Sequence, residues 1–92
     1  MMYEIYFSNQ FKRSYKKCLK RGCNKMLFEE VVTLLAETGT SPSRYRPHKL
    51  TGDWQGFWEC HIQPNWLLIW EQHEKELILI LTDTGTHSDL FG

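Results

Sequence analysis

The chain has 92 residues, enough for one hydrophobic core and too few for two, so we predict a single domain over residues 1–92. It is 41% hydrophobic and 14% aromatic, which excludes a disordered polar tail. The net charge is zero, but residues 1–50 carry ten Lys and Arg against four Asp and Glu, a net +6, whereas residues 51–92 carry one against seven, a net −6.

The compartment is indicated by what the chain lacks. No stretch approaches the roughly 18 apolar residues of a membrane span, and the first residues show no basic segment followed by an apolar one, so we expect neither a membrane protein nor a signal peptide. Cys18, Cys23 and Cys60 are odd in number and show no C-x-x-C spacing. We therefore expect a cytoplasmic protein with structural or incidental thiols.

The N-terminal half changes from a strand period to a helical one. Alternation over residues 2–7 predicts a strand, and Ser8 can cap a helix that Gly22 ends. Asn24 can cap a second helix that ends at Gly39. A tight turn between the two predicts a helical hairpin.

Basic residues are concentrated on the first predicted helix. Seven fall within fourteen positions: Lys12, Arg13, Lys16, Lys17, Lys20, Arg21 and Lys25. One face should therefore carry a positive field able to hold nucleic acid or an acidic protein segment. A solvated helix face with no partner is the alternative interpretation.

The second half reads as strands. Short aromatic or aliphatic runs at residues 57–62, 66–70 and 77–81 are separated by turns, which predicts a meander. The fold class is therefore α+β: β-α-α-β-β-β, an antiparallel sheet with the N-terminal helical hairpin packed on one face. The other face is left partly open for a site.

Three histidines, His48, His61 and His87, lie in or beside the predicted strands, whereas His73 lies in a charged turn. RNA cleavage by internal transfer needs a base for the ribose 2′-OH and an acid for the leaving 5′ oxygen. A histidine pair can divide this work, because the unperturbed pKa of the side chain is about 6.5. No two histidines have metal-ligand spacing, and Cys60 and His61 point to opposite faces of a strand, so we expect no metal site.

Four motifs follow one another along the second half of the chain. They are Pro47-His48-Lys49-Leu50, Gly52-x-Trp54-x-Gly56, Glu59-Cys60-His61-Ile62-x-Pro64-x-Trp66-Leu67-Leu68-Ile69, and Thr84-Gly85-Thr86-His87-Ser88-Asp89-Leu90-Phe91. Together they resemble the YafQ branch of the RelE/ParE toxin superfamily. The N-terminal half is similar to that family only in the order of its elements.

The resemblance implies a RelE-like fold and a toxin of a type II toxin–antitoxin module. Such toxins are ribosome-dependent endoribonucleases that cut mRNA and are silenced by a cognate antitoxin; no cofactor is implied. By this resemblance His48, His61 and His87 hold the family's active-site histidine positions, with His87 as general acid or base. The expected substrate contacts are Phe91, Trp66, Arg46, Lys49 and Asn65. The basic helix would contact ribosomal RNA phosphates, and for Trp66 a place in the core is the alternative.

Two positions depart from the family pattern. Asn65 stands where the family commonly has Asp, and Asp83 stands where it has Arg. Loss of one contact to the transition-state phosphate commonly costs about two to three orders of magnitude in rate. The alternative to an active mRNA interferase is therefore a catalytically weakened toxin-fold module that binds antitoxin or ribosome. A gyrase poison, as in the ParE branch, is less favoured because the histidine motifs belong to the RNase branch.

Overall fold

The computed structural model describes residues 2–92 and contains three helices and five strands. The elements in chain order are β1 (Glu4–Phe7), α1 (Asn9–Lys20), α2 (Lys25–Thr38), β2 (His48–Lys49), β3 (Trp58–Gln63), β4 (Trp66–His73), β5 (Ile78–Gly85) and α3 (His87–Phe91). The α+β class is confirmed. No helix within residues 2–92 is long and apolar enough to cross a membrane.

The two long helices begin and end where local chemistry predicts. Ser8 Oγ accepts the Phe11 backbone N–H at 2.9 Å, and Asn24 Oδ1 accepts that of Met26 at 3.0 Å, so each helix has a side-chain N-cap. Gly39 ends α2 in the left-handed conformation, with φ of 76°. A side chain there would also meet the Tyr3 ring at 2.8 Å, which leaves glycine as the residue that fits.

The strands form one mixed sheet in the order β1-β5-β4-β3-β2. The neighbours from β2 to β5 are antiparallel, but β1 pairs with β5 in parallel, so the expectation of a wholly antiparallel sheet is wrong. The connection through the two helices determines the direction of β1 relative to β5. The periodicity of a strand does not show which strand it pairs with or in which direction. The sequence also missed β2, because two residues are too short to show a period.

One sheet face packs against the helices and forms the core. Cys60, Leu68 and Leu81 from three neighbouring strands lie on this face with Val31 and Leu35 of α2, all essentially inaccessible to solvent. Burial of such aliphatic side chains contributes about 1.5–3 kcal/mol each before entropy costs. Because side chains alternate along a strand, the neighbours of Cys60 on β3 must point to the opposite face of the sheet.

Candidate active site

His48 and Glu59 lie on the opposite face, near the edge of the sheet that β2 forms. The β2–β3 pairing sets them directly across from each other, and His48 Nε2 lies 3.1 Å from Glu59 Oε1. His48 Nδ1 lies 2.9 Å from the Arg46 carbonyl oxygen. A carbonyl oxygen only accepts, so Nδ1 carries a hydrogen in this arrangement.

The hydrogen bonds of His48 require a second proton. With Nδ1 donating to a carbonyl, the contact between Nε2 and the carboxyl of Glu59 holds only if one more proton lies between them. Glu59 is 4% exposed, and its Oε2 has no hydrogen-bond partner within residues 2–92. A buried carboxyl group of this kind requires a hydrogen-bonding partner, and His48 is the one that Glu59 has.

His61 joins His48 on the same face, since it lies two residues after Glu59 on β3. The two imidazole rings are 6.5 Å apart between centroids. His61 and Arg46 line a groove of about 320 Å³ that adjoins His48 through its neighbour Arg46. Arg46 is exposed and takes part in none of the ion pairs within residues 2–92.

The short helix α3 brings the third histidine to this face. His87 is exposed and its ring lies 4.9 Å from that of Phe91, which meets Trp54 edge-on at 6.0 Å. His48, Glu59, Trp54, His87 and Phe91 line a single cleft of about 300 Å³. Titratable groups and aromatic side chains therefore converge around one shallow, open depression.

Three expected substrate contacts lie elsewhere. Trp66 is 2% exposed and donates its Nε1 hydrogen to Thr84 Oγ1 at 2.7 Å, so it belongs to the core and presents no ring to a substrate. Lys49 points to the other face of the sheet, with Nζ 5.6 Å from the centre of the Trp58 ring. Asn65 is exposed in the β3–β4 turn and lines a separate groove with Arg21.

The six basic residues expected to contact RNA are all exposed, on α1 and at its C-terminal end: Lys12, Arg13, Lys16, Lys17, Lys20 and Arg21. Five of them have no acidic partner within residues 2–92, but Arg21 Nη1 lies 2.6 Å from Asp89 Oδ2. Asp83 lines a groove of about 140 Å³ with Lys17, Arg21 and Asp89, outside the cleft of His48 and His87.

Two cleft residues, Glu59 and Trp54, were not expected at the site. Their signals were available in the sequence: a carboxylate two positions from His61 on a predicted strand shares its face, and Trp54 lies between two glycines of a motif. Burial, the fact that marks Glu59 as unusual, exists only in the folded chain.

Two of the three thiols, Cys18 and Cys60, are buried. Burial raises the pKa of Cys60 to about 12 and that of Cys18 to about 11, so both are protonated at neutral pH. No group of three or more His, Cys, Asp or Glu side chains among these residues is arranged to hold a metal ion.

Comparison with known proteins gives consistent matches along the chain. The family model for the bacterial toxin of type II toxin–antitoxin systems, YafQ, matches residues 3–92. The chain is 34% identical over 90 residues to the mRNA interferase toxin YafQ of Escherichia coli strain K12, covering 97% of this chain and 96% of that protein.

Solved structures of related proteins have the same fold. A chain of the E. coli DinJ–YafQ toxin–antitoxin complex matches with a TM-score of 0.88 at 31% identity, over 100% of both chains. YafQ from E. coli strain BL21(DE3) matches with a TM-score of 0.87 at 32% identity, over 98% of this chain and 99% of that one.

Proposed function

The chain belongs to the YafQ family of bacterial toxins of type II toxin–antitoxin systems, and from that premise we propose that it is an mRNA interferase, an endoribonuclease that cleaves mRNA on the ribosome. The observation that carries the proposal is the cleft in which His48 and His87, from distant parts of the chain, face one space of about 300 Å³ beside Phe91. A pair of histidines suits the acid and base steps of RNA cleavage at neutral pH.

The reaction is internal transfer. The ribose 2′ oxygen loses its proton to a base and attacks the adjacent phosphorus, and the bond to the 5′ oxygen breaks as that oxygen takes a proton from an acid. The products are a 2′,3′-cyclic phosphate and a 5′-hydroxyl. Proton transfer by positioned side chains contributes about 10²–10⁴-fold at each such step.

The two histidines divide the roles by their surroundings. His48 is the general acid: its contacts with Arg46 and Glu59 hold hydrogens at both ring nitrogens, and the hydrogen between Nε2 and Glu59 passes to the departing oxygen when that oxygen replaces Glu59 as the acceptor. His87 is the general base, because it is exposed at the cleft and is in no ion pair within residues 2–92.

Arg46 supplies positive charge for the phosphate and His61 a hydrogen-bonding side chain, since both line the groove that adjoins His48. Electrostatic stabilisation of this kind is usually the largest single contribution to phosphate chemistry. Phe91 and Trp54 offer rings on which an unpaired base of the message can stack, which requires no particular base. The basic side chains of α1 contact ribosomal RNA.

The packing of the two long helices supports a RelE-like topology. The helices α1 and α2 act as the helical hairpin of a RelE-like topology, with the Phe28 ring of α2 4.6 Å from Tyr15 and 5.8 Å from Phe11 of α1. This packing holds the basic helix at a constant orientation relative to the sheet.

An antitoxin is the proposed protein partner. An apolar groove of about 370 Å³ runs beside α1 and is lined by Phe7, Phe11, Tyr15 and Phe28, with Lys12 and Lys16 at its rim. Apolar walls flanked by lysines suit an amphipathic segment with acidic residues, which would cover the groove and part of the basic helix.

A catalytically weakened binding module is the second candidate. Asp83, where the family pattern has Arg, favours it, because the chain lacks that cation of the family pattern. In this case the fold would still bind antitoxin or ribosome while cleaving RNA slowly.

Induced expression in a host without the antitoxin tests the proposal. Wild type should arrest growth, and the purified protein should cleave mRNA on programmed ribosomes but not without them. His87→Ala should abolish both effects. His73→Ala is the matched control, since His73 is an exposed histidine at the end of β4 whose one ion pair within residues 2–92 is with Glu71, at 3.4 Å.

The outcomes separate the two candidates. Cleavage lost with His87→Ala and kept with His73→Ala supports the enzyme. An inactive wild type that gains activity with Asp83→Arg supports the weakened module. Equal activity of wild type and His87→Ala contradicts the histidine mechanism.

A further inference from the structure

The helix that carries His87 and Phe91 cannot hold its own position. It has five residues, and isolated helices shorter than about 12 residues are marginal in water. The orientation of His87 toward the cleft therefore depends on contacts that α3 makes with the rest of the molecule.

Asp89 supplies the strongest of these contacts. Its Oδ2 accepts the Thr86 backbone N–H at 2.9 Å, and its own N–H donates to Thr86 Oγ1 at 3.1 Å, which closes a capping box around His87. The same Oδ2 lies 2.6 Å from Arg21 Nη1. Hydrogen bonds from Arg21 and then from the Thr86 backbone lower the pKa of Asp89 to about 2, so it is ionised at neutral pH.

Arg21 is itself fixed to the body of the fold. It is the C-terminal cap of α1, and its backbone N–H lies 3.1 Å from the carbonyl oxygens of both Lys17 and Cys18. Cys18 is 2% exposed and belongs to the core. The guanidinium of Arg21 thus connects the C-terminal end of α1 to the first turn of α3.

We propose that Arg21 and Asp89 are positioning residues for His87: the ion pair docks α3 on α1 and sets the imidazole in the cleft. Arg21 accordingly acts through Asp89 and is not one of the RNA phosphate contacts expected from the basic cluster. The effect on cleavage rests on the proposed function, whereas the effect on the position of α3 does not.

The two roles of Arg21 predict kinetic changes of different kinds. A phosphate contact contributes to binding, so Arg21→Gln would raise KM and flatten the salt dependence with kcat unchanged. A positioning residue acts on the geometry of the reacting groups, where a shift of about 1 Å costs about a hundredfold in rate. Arg21→Gln would then lower kcat, and its KM would equal that of a variant in which an exposed lysine outside the basic helix is replaced by Gln.

Asp89→Asn gives changes of opposite sign under the two roles. The amide can still accept the Thr86 N–H, so the capping box is kept while the charge that holds Arg21 is removed. If Arg21 contacts phosphate, its release should strengthen RNA binding. If Arg21 positions α3, kcat should fall as it does with Arg21→Gln.

The experiment measures kcat and KM for cleavage of ribosome-bound mRNA by Arg21→Gln, Arg21→Lys, Asp89→Asn and the control Lys75→Gln. Lys75 is exposed, lies in the turn between β4 and β5 outside the basic helix, and is in no ion pair within residues 2–92. We expect a fall in kcat of about ten- to a hundredfold for Arg21→Gln and Asp89→Asn. Arg21→Lys should restore part of it, and Lys75→Gln should leave kcat unchanged.

A second readout needs no activity. Amide chemical shifts and solvent exchange of ¹⁵N-labelled protein report on residues 86–91 directly. We expect faster exchange and shifted signals there for Arg21→Gln and Asp89→Asn, and wild-type signals for Lys75→Gln. Unchanged α3 signals in Arg21→Gln would overturn the proposal even if the enzyme is active. An inactive wild type in which these signals respond would instead count against the proposed function alone.

Discussion

At the scale of single residues, the contact between His48 and Glu59 contributes both to the stability of the fold and to the proposed acid step. Glu59 is almost completely buried, and the exposed side of His48 faces the cleft. A proton held between them neutralises the carboxylate and is also available to a substrate oxygen at the cleft. The fold therefore depends on the residue proposed as the acid.

Removal of His48 should destabilise the chain. His48→Ala leaves the Glu59 carboxylate buried without its partner, and we expect a loss of about 1–3 kcal/mol in the free energy of unfolding. Urea denaturation measures it. His61→Ala is the control, because it removes a nearby imidazole of the same face that forms no ion pair with Glu59.

The double variant His48→Ala with Glu59→Leu should recover part of this loss, because both polar partners are then gone. Equal stability of His48→Ala and His61→Ala would contradict the proposed dependence.

At the scale of elements, α3 is the part of the active face with the fewest supports of its own. It follows β5 directly, its first turn is closed by Thr86 and Asp89, and its position is set by Arg21 at the end of α1. Glycine at position 85 belongs to the same arrangement, because a Cβ there would lie 2.9 Å from the Asp89 side chain. The capping box, the ion pair and Gly85 thus all favour the same position of α3 and of His87.

Acid should release α3 before it unfolds the rest of the chain. The pKa of Asp89 is lowered from 3.8 to about 2, so the stability that the ion pair contributes is complete above about pH 4 and is lost as the pH falls through about 2. Solvent screens the pair, since the Arg21 side chain is 50% and that of Asp89 36% exposed, so the effect should be small.

The measurement is the pH dependence of the melting temperature of wild type and Asp89→Asn, together with the amide signals of residues 86–91. The difference between the two proteins should be largest at pH 6 and should shrink between pH 4 and pH 2. A difference that stays constant over this range would contradict the assignment.

Over the whole molecule, the charges of the two halves meet only in part. Asp83 and Asp89 lie beside Arg21 at the end of α1, whereas Glu74 and Glu76 lie in the turn before β5. The other basic side chains of α1 form no ion pair within residues 2–92: Lys12, Arg13, Lys16, Lys17 and Lys20. Their positive field is therefore available to a partner.

Antitoxin binding should depend on this field. Lys12→Glu and Lys16→Glu, at the rim of the apolar groove, should weaken association and reduce its dependence on salt. Lys75→Glu, in the turn before β5, is the control with the same charge change. The partner for the measurement is the antitoxin that restores growth when it is co-expressed, and binding is followed by calorimetry at several salt concentrations.

The affinities of Lys12→Glu and Lys75→Glu for the antitoxin are the comparison that tests this prediction. Equal affinity of these two variants, or weakening that is independent of salt, would place the antitoxin elsewhere on the surface.

The sequence by itself determined the α+β class, the two long helices and four of the five strands. These follow from local rules that need no partner: Ser8 and Asn24 satisfy free N–H groups, Gly39 adopts positive φ, and side-chain periods of 2 and 3.6 distinguish strand from helix. The motifs around His48, His61 and His87 likewise identified the family, because residue types at characteristic spacings are a property of the chain alone.

Tertiary structure decided which of the marked residues meet. Pairing of β2 with β3 brings His48 to Glu59 and turns Lys49 away, burial removes Trp66 from the surface, and Asp89 binds Arg21 across 68 positions of the chain. Such facts depend on strand partners, on which face of the sheet the helices cover and on contacts between remote residues. None of these has a local signal, because the free energy that selects them arises only when the whole core and sheet are assembled.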